Sequence, residues 1–345
     1  MSSKGEWMYG KYASRTALTA VSVVLSLGVM TACSDSGEPD QPDEGGGIKS
    51  RSNAPYWVNP QGNAAKQVAA YRKDNKDSQA KLIERIAGQP VAEWIGTEDP
   101  QGETRGFTEA AKKKGRGALL VLYNIPHRDC GQYSKGGAAD GNAYRGWLDG
   151  VLKGIGKREA TVIVEPDSLP HLLQEGCTPQ QFHEERYALL KEAVGKLKAL
   201  PNTKVYLDAG NPGFTQDPGA LVEPLKRAGI DQADGFSLNV SNFVTTEDNT
   251  AYGKKLSAMV GNKPFVIDTS RNGNGPPGGE GEDAWCNPRG RALGEPPTTK
   301  TGDDLVDAYL WVKRPGESDG TCHGGPKAGE WWPEYALELA KNAKK

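Results

Sequence analysis

The stretch Ala160–Leu169, ATVIVEPDSL, decides the fold. An apolar, β-branched run reads as a buried strand, and it ends abruptly in two carboxylates, Glu165 and Asp167, on either side of Pro166. The same pattern recurs along the chain. Short β-rich runs occur at PVAEWIG (90–96), GALLVLYNI (117–125), TKVYLDAG (203–210), DGFSLNVSN (234–242), KPFVIDTS (263–270) and DAYLWVK (307–313). Amphipathic stretches lie between most of them. In PQQFHEERYALLKEAVGKLKAL (179–200), Phe182, Leu189, Leu190, Val194, Leu197 and Leu200 recur at helical spacing. Strand–helix repetition predicts an α/β protein with a parallel sheet and helices outside it. Seven or eight such units point to a (β/α) barrel, with a doubly wound open sheet as the alternative.

The strand ends carry the polar groups. Tyr123, Glu165, Asp167, Asp208, Asn239, Asp268 and Lys313 all sit at or just past the end of an apolar run. In a parallel barrel those ends share one rim, where catalytic groups collect. An Asp at a strand end also caps helices, so one acid alone would mean little. Several polar groups aimed at one mouth mean more, and they place Asp167 at the floor of a cleft.

Composition narrows the function. The net charge is -2 with both signs interspersed, which excludes a basic track for nucleic acid. The 44 glycines and 23 prolines suit long ordered loops on a rigid scaffold. Eight tryptophans offer flat faces that pack, or stack on sugar rings. The four histidines form no ligand spacing, so neither a metal nor another cofactor is expected.

The first residues are not fold. Lys4, Lys11 and Arg15 precede the apolar run Leu18–Cys33, too short for a comfortable membrane span. Residues 1–32 are therefore expected to be a lipoprotein-type signal peptide, with Cys33 as the lipidated first mature residue; an ordinary secretory signal is the alternative. Residues 33–53 are acidic and rich in Gly and Pro, as a flexible tether would be. Residues 54–345 read as a single catalytic domain without repeat or second linker. The expected location is the outer face of the cytoplasmic membrane, with contact to the membrane only through the lipid, or free secretion. Setting Cys33 aside leaves Cys130, Cys177, Cys286 and Cys322, an even number that fits an oxidising compartment. Three pairings are possible, and sequence order favours Cys130–Cys177 and Cys286–Cys322.

Tryptophans near an acid-rich rim suggest carbohydrate. Cleaving a glycosidic bond needs one carboxylic acid to protonate the leaving oxygen and a second carboxylate to activate water or attack. The acid stays protonated near neutral pH if burial or a neighbouring carboxylate raises its pKa. Asp129, Asp167 and Asp319 are the candidates, each at a strand end or in a Gly-rich loop close after one.

These residues sit in seven ordered motifs, YNIPHRDCGQYSKGG, IVEPDSL, YLDAG, NVSNF, IDTSRNGNGP, WCNPRGRALG and LWVKRPGESDG. Together they resemble the signatures of glycoside hydrolase family 6, the inverting β-1,4-glucanases, from APYWVNP to the C-terminal helix. The resemblance implies a distorted barrel of seven parallel strands and the disulfide pairing that sequence order favours. It implies roles as well. Asp167 matches the general acid, Asp129 the carboxylate that keeps the acid's proton on, and Asp319 the base, acting through a water chain. Ser134 and Tyr123 match residues that position the water and press on the distorted sugar. Trp94, Asn242, Trp285, Lys313 and Glu317 match sugar-binding positions. Lys313 and Glu317 have a plainer reading as an ion pair with each other, Asp208 as a buried support, and Trp331 and Trp332 as packing for the terminal helix.

One segment departs from the family. Where it commonly has His, two residues and Trp after Asp-Ala-Gly, this chain has Asn211 and Phe214. Asn211 is expected to keep hydrogen bonding to sugar, and Phe214 to keep a smaller stacking face. The expectation is a monomeric, exported hydrolase of β-glucan polysaccharide or oligosaccharide. The short loop between Cys286 and Cys322 favours endo-cleavage in an open groove over cellobiohydrolase action. A surface lipoprotein that binds glucan without cutting it is the rival from another class.

Overall fold

The computed structural model describes residues 50–278 and 284–344. The signal segment, Cys33 and all but the last residues of the tether lie outside the described residues. Seven strands form one sheet in sequential order, every neighbouring pair parallel. They are β1 (Glu93–Trp94), β2 (Ala118–Leu122), β3 (Ala160–Val164), β4 (Thr203–Asp208), β5 (Gly235–Leu238), β6 (Phe265–Asp268) and β7 (Val306–Leu310). Sequential order rules out the doubly wound alternative, whose strand order reverses at a switch point. The sheet curls into an incomplete barrel, and its edges meet where Ala92 N–H donates to Trp311 O (3.0 Å) and Trp94 Nε1 to Val312 O (2.9 Å).

The alternation of side chains along each strand explains the curl. Leu120, Leu122, Val162, Val164, Val205 and Leu207 face outward into a core shared with the helices. Leu119, Val121, Ile163, Tyr206, Val266 and Leu310 face inward and pack on one another. A strand apolar on both faces must be covered on both, by helices outside and by its own barrel inside. The outer layer contains α3 (Pro100–Lys113), α4 (Gly141–Ile155), α6 (His183–Lys198) and α8 (Thr246–Met259). Asp99 caps α3 through Gly102 N (2.9 Å), and Asp140 caps α4 through Ala143 N (2.8 Å). Helices α3 and α4 approach so closely that a Cβ on Gly154 would lie 2.5 Å from Thr104 Cβ.

Two departures from regular alternation matter for the site. The β6–β7 connection contains no helix among its described residues and carries Trp285 and Cys286 at the rim. On the outside of β7, α1 (Asn63–Lys73), α2 (Asp77–Ala87) and α9 (Pro333–Asn342) form a separate apolar cluster around Trp311 and Tyr335, against which Trp331 and Trp332 pack.

Candidate active site

The acids at the strand ends divide into two kinds. Glu165, Asp208 and Asp268 are buried and point at backbone. Glu165 accepts from Asn124 N (2.9 Å) and Ile125 N (2.9 Å), tying β3 to the loop after β2. Asp208 accepts from Asp167 N (2.9 Å), Gly210 N (3.1 Å) and Ser237 Oγ (3.1 Å). Asp268 takes Ser241 N, Ser270 N, Val312 N and Lys313 N, all within 3.2 Å. Chains leaving a parallel sheet expose N–H groups that the next strand no longer pairs, and each orphan costs about 1–3 kcal/mol if left dry. These three carboxylates supply the acceptors.

Asp167 is of the second kind. Glu165 and Asp167 both adopt left-handed backbone (φ 51 and 65), a reversal that turns the chain around Pro166 at the end of β3. Burial pushes the Asp167 carboxyl well above the ordinary range, and the charges of Asp208 and Asp129 push it further. Burial also lifts Asp208 to about 6, although three donors oppose the rise, so it remains ionised at neutral pH. Burial raises Asp129 as well, against the Ser134 N–H, which donates to its Oδ2 at 2.5 Å, and the Arg128 charge. Tyr123 lies beside both acids: burial first, then the fields of Asp167 and Asp129, raise its hydroxyl. Its ring meets Trp94 edge-on (5.4 Å) and carries the Arg128 guanidinium on its face (4.5 Å). Ser134 enters through its backbone, with its carbonyl accepting from Arg128 Nε at 2.9 Å.

Two devices hold the Asp129 and Asp167 loops together. A disulfide joins Cys130, next to Asp129, to Cys177 beyond Asp167. The second device escaped sequence reading. Arg186 of α6 is 3% exposed and donates to Ser168 O (3.1 Å), Pro126 O (3.0 Å) and His127 O (2.8 Å). Its signal was available: Arg186 occupies a place on the buried stripe that continues through Leu189, Leu190, Ala193, Val194 and Leu197. A cation on such a stripe needs buried acceptors.

Asp319 occupies a recess of the opposite electrostatic character. Arg271 Nη1 reaches both its oxygens (3.0 and 2.8 Å), Lys313 Nζ lies at 3.0 Å, and Asn287 N–H donates at 3.0 Å. Burial would raise this carboxyl, but Arg271 and Lys313 outweigh it and hold it at about 2. Arg271, fully buried and stacked on Phe243 (4.4 Å), was likewise not singled out from sequence. The second disulfide, Cys286–Cys322, brackets this recess. Lys313 and Glu317 do not take each other as partners: Lys313 pairs with Asp319, and Glu317 pairs with Arg314 (3.3 Å) and Asn63 (3.0 Å).

The two halves of the site meet across the mouth. Tyr133, in the Asp129 loop, packs edge-on against Trp285 (6.1 Å) and covers Gly320, where a Cβ would come within 2.4 Å of its ring. Only glycine beside Asp319 admits that approach. Asn211 is 4% exposed, and its Oδ1 accepts from Gly213 N and Phe214 N, so its acceptor closes a turn. The turn presents Phe214, 41% exposed, edge-on to His171 (5.7 Å). Asn242 is half-buried, its Oδ1 accepting from Phe243 N at 2.8 Å. Among the described residues, the group spaced for a metal is Cys130, His171 and Cys177, whose two sulfurs are joined as a disulfide.

A parallel incomplete barrel whose rim gathers a carboxyl of raised pKa, a second carboxylate and exposed aromatic rings has the architecture of a carbohydrate-cleaving enzyme. The model of the family "Glycosyl hydrolases family 6" matches residues 51–343, and the chain belongs to that family. It is 44% identical over 295 residues to Endoglucanase A of Cellulomonas fimi, covering 84% of this chain and 61% of that protein. It thus spans about three fifths of that relative. It is 42% identical to Endoglucanase 1 of Streptomyces halstedii, covering 82% of this chain and 88% of that protein. Among solved structures it matches the endoglucanase Cel6 of Mycobacterium tuberculosis with a TM-score of 0.78 and 42% identity, over 84% of this chain and 98% of that one. That structure holds a thio-linked cellobioside.

Proposed function

We propose that the protein is an endo-acting β-1,4-glucanase that hydrolyses cellulose, cello-oligosaccharides or related β-glucans with inversion. The observation that carries this reading is the half-buried Asp167 carboxyl at the end of β3, its backbone held by Asp208 and its pKa raised well above the ordinary range by burial and by the charges of Asp208 and Asp129. In the proposed reaction Asp167 gives its proton to the glycosidic oxygen as the C–O bond breaks. Water adds to the anomeric carbon from the opposite face, and its proton leaves toward Asp319. Asp129 keeps the proton on Asp167 in the resting enzyme and balances the positive charge that develops on the sugar. Tyr123 and Ser134 shape the space for the distorted ring and the water. Trp94, Trp285 and Phe214 offer stacking faces; Asn242, Lys313, Glu317 and the Asn211 amide offer hydrogen bonds. A carboxylate held at about 2 is a weak base, so Asp319 suits the end of a water relay better than direct abstraction.

Export is part of the reading. Two disulfides support an oxidising compartment, and anchoring through Cys33 is proposed on the N-terminal sequence. The names of relatives at 40–44% identity favour endo action. The Tyr133–Trp285 contact supplies the case for the cellobiohydrolase alternative, since a mouth bridged there would thread a chain rather than admit its middle. Product analysis on cellohexaose with anomer detection decides among these. Mixed internal products of inverted anomeric configuration support the proposal, cellobiose alone supports the alternative, and retention defeats both. A glucan binder without activity would release no more reducing sugar than its Asp167→Ala variant.

A further inference from the structure

Cys130, His171 and Cys177 bring two sulfurs and an imidazole nitrogen within 4.8 Å of one another. The sulfurs are joined, and the imidazole stands beside the bond. His171 is 8% exposed. Its ring meets Phe214 edge-on at 5.7 Å, and neither ring nitrogen takes a hydrogen bond among the described residues. Buried imidazoles ordinarily pair at least one nitrogen, so this ring has a lone pair to offer. Backbone fixes its position: the His171 N–H donates to Asp167 O at 2.9 Å, at the start of α5 (Pro170–Leu173).

The two disulfides differ in access. Cys130 and Cys177 are half-buried, whereas Cys286 and Cys322 are 0% and 7% exposed. Thiol–disulfide exchange needs a thiolate to reach a sulfur, so a reductant meets the Cys130–Cys177 bond first. A dithiol supplies two electrons and two protons: the S–S bond breaks, Cys130 and Cys177 become thiols, and the dithiol closes to its own disulfide. Two thiols and an imidazole then surround one point. Zinc takes such ligands tetrahedrally, at about 2.3 Å from sulfur and about 2.0–2.1 Å from nitrogen, which spaces the ligand atoms about 3.5–3.8 Å apart. Side-chain shifts on the order of 1 Å bring this group to that spacing. The fourth position falls to water or to Gln174 Oε1, which lies 3.9 Å from Cys130 Sγ.

We infer that His171 and the opened Cys130–Cys177 pair form a binding site for zinc or another thiophilic divalent cation, gated by reduction of the disulfide. Binding releases the two thiol protons to solvent. The cation replaces the covalent tie between the Asp129 loop and the segment after Asp167. This site is independent of the glucanase reading. It makes the tie between the two loops conditional on the supply of reductant and metal.

The test treats the full chain with a dithiol, removes the reductant without oxygen, and titrates cobalt(II) and then zinc. Alkylation and mass mapping should find Cys130 and Cys177 opened and Cys286–Cys322 intact. Reduced wild type should show thiolate-to-cobalt charge-transfer absorption and the intense d–d bands of a tetrahedral site, and zinc should bleach both. Oxidised wild type should show neither. Zinc should raise the melting temperature of reduced wild type, because a ligand that binds the folded state stabilises it. His171→Phe keeps a ring against Phe214 but cannot coordinate. After reduction it should bind zinc at least about 10–100-fold more weakly than wild type, since losing even an outer-shell partner costs that much. Equal zinc affinities in wild type and His171→Phe overturn the inference, as does reduced wild type without thiolate–cobalt absorption. Preferential opening of Cys286–Cys322 removes the gate, and loss of the fold on opening Cys130–Cys177, seen by circular dichroism, removes the scaffold; either result also overturns it.

Discussion

The Oδ2 of Asp208 accepts the backbone N–H of Asp167 at 2.9 Å, so one carboxylate fixes the position of another while its charge opposes that neighbour's ionisation. A support residue thereby tunes the acid it holds. Asp208→Asn would keep an acceptor in place and remove the charge. In the proposed role Asp167 acts in its protonated form, so activity should be lost as pH rises through its raised pKa. Removing the Asp208 charge lowers that pKa, and the alkaline limb of the kcat profile should move to lower pH. A profile of kcat against pH on cellohexaose checks this, and an unmoved limb would show that burial alone sets the acid.

If Asp167 is the proton donor, its loss should depend on the leaving group. Asp167→Ala should cut kcat on cellohexaose by about 10²–10⁴-fold. An activated aryl glycoside, whose leaving group departs without a proton, should suffer far less. Equal losses on both substrates would assign Asp167 a structural part.

Arg186 anchors the carbonyls that precede Asp129 and follow Asp167. Arg186→Met leaves those acceptors unpaired and frees the spacing between the two loops. A displacement of about 1 Å in such a pair can cost on the order of 10²-fold in rate. The expected signature is a fall in kcat with KM nearly unchanged, together with a lower melting temperature. Arg186→Lys, which keeps the charge but not the planar fork, should recover only part of the rate. A KM effect without a kcat effect would contradict the positioning role.

The Asp319 recess predicts acid sensitivity. Its folded pKa, about 2, lies below the unfolded value of 3.8. A depressed acid contributes stability that is complete above the unfolded pKa and disappears as pH falls through the folded one, so this contribution should vanish between about pH 4 and pH 2. Lys313→Met raises the folded pKa and narrows that window. Arg271→Met leaves a buried carboxylate with half its counter-charge and should cost about 3–5 kcal/mol. Denaturant melts across pH measure all three, and a pH-independent difference between wild type and Lys313→Met would refute the assignment.

Much of this molecule was legible in one dimension, because its signals are local. Strands apolar on both faces, separated by amphipathic stretches, define a parallel sheet whatever the contacts beyond them; the repetition reads as seven or eight units, and the sheet has seven strands. The carboxylates at the strand ends were legible for the same reason: position along a strand determines which end of the barrel a residue occupies. What those carboxylates do was not. Glu165 and Asp268 look like Asp167 in sequence, but tertiary structure turns them onto the backbone of neighbouring loops and raises the pKa of Asp167 through burial and the charges of Asp208 and Asp129. The same holds for the cations. Lys313 and Glu317 are four residues apart and suggested a pair, whereas the fold gives Lys313 to Asp319 and Glu317 to Arg314 and Asn63. Arg186 and Arg271 went unread because their partners are distant in sequence. Periodicity along the chain therefore determined the scaffold and its active end. Charge, protonation and partner choice depend on burial and on distances between segments remote in sequence, and only the folded barrel decides those.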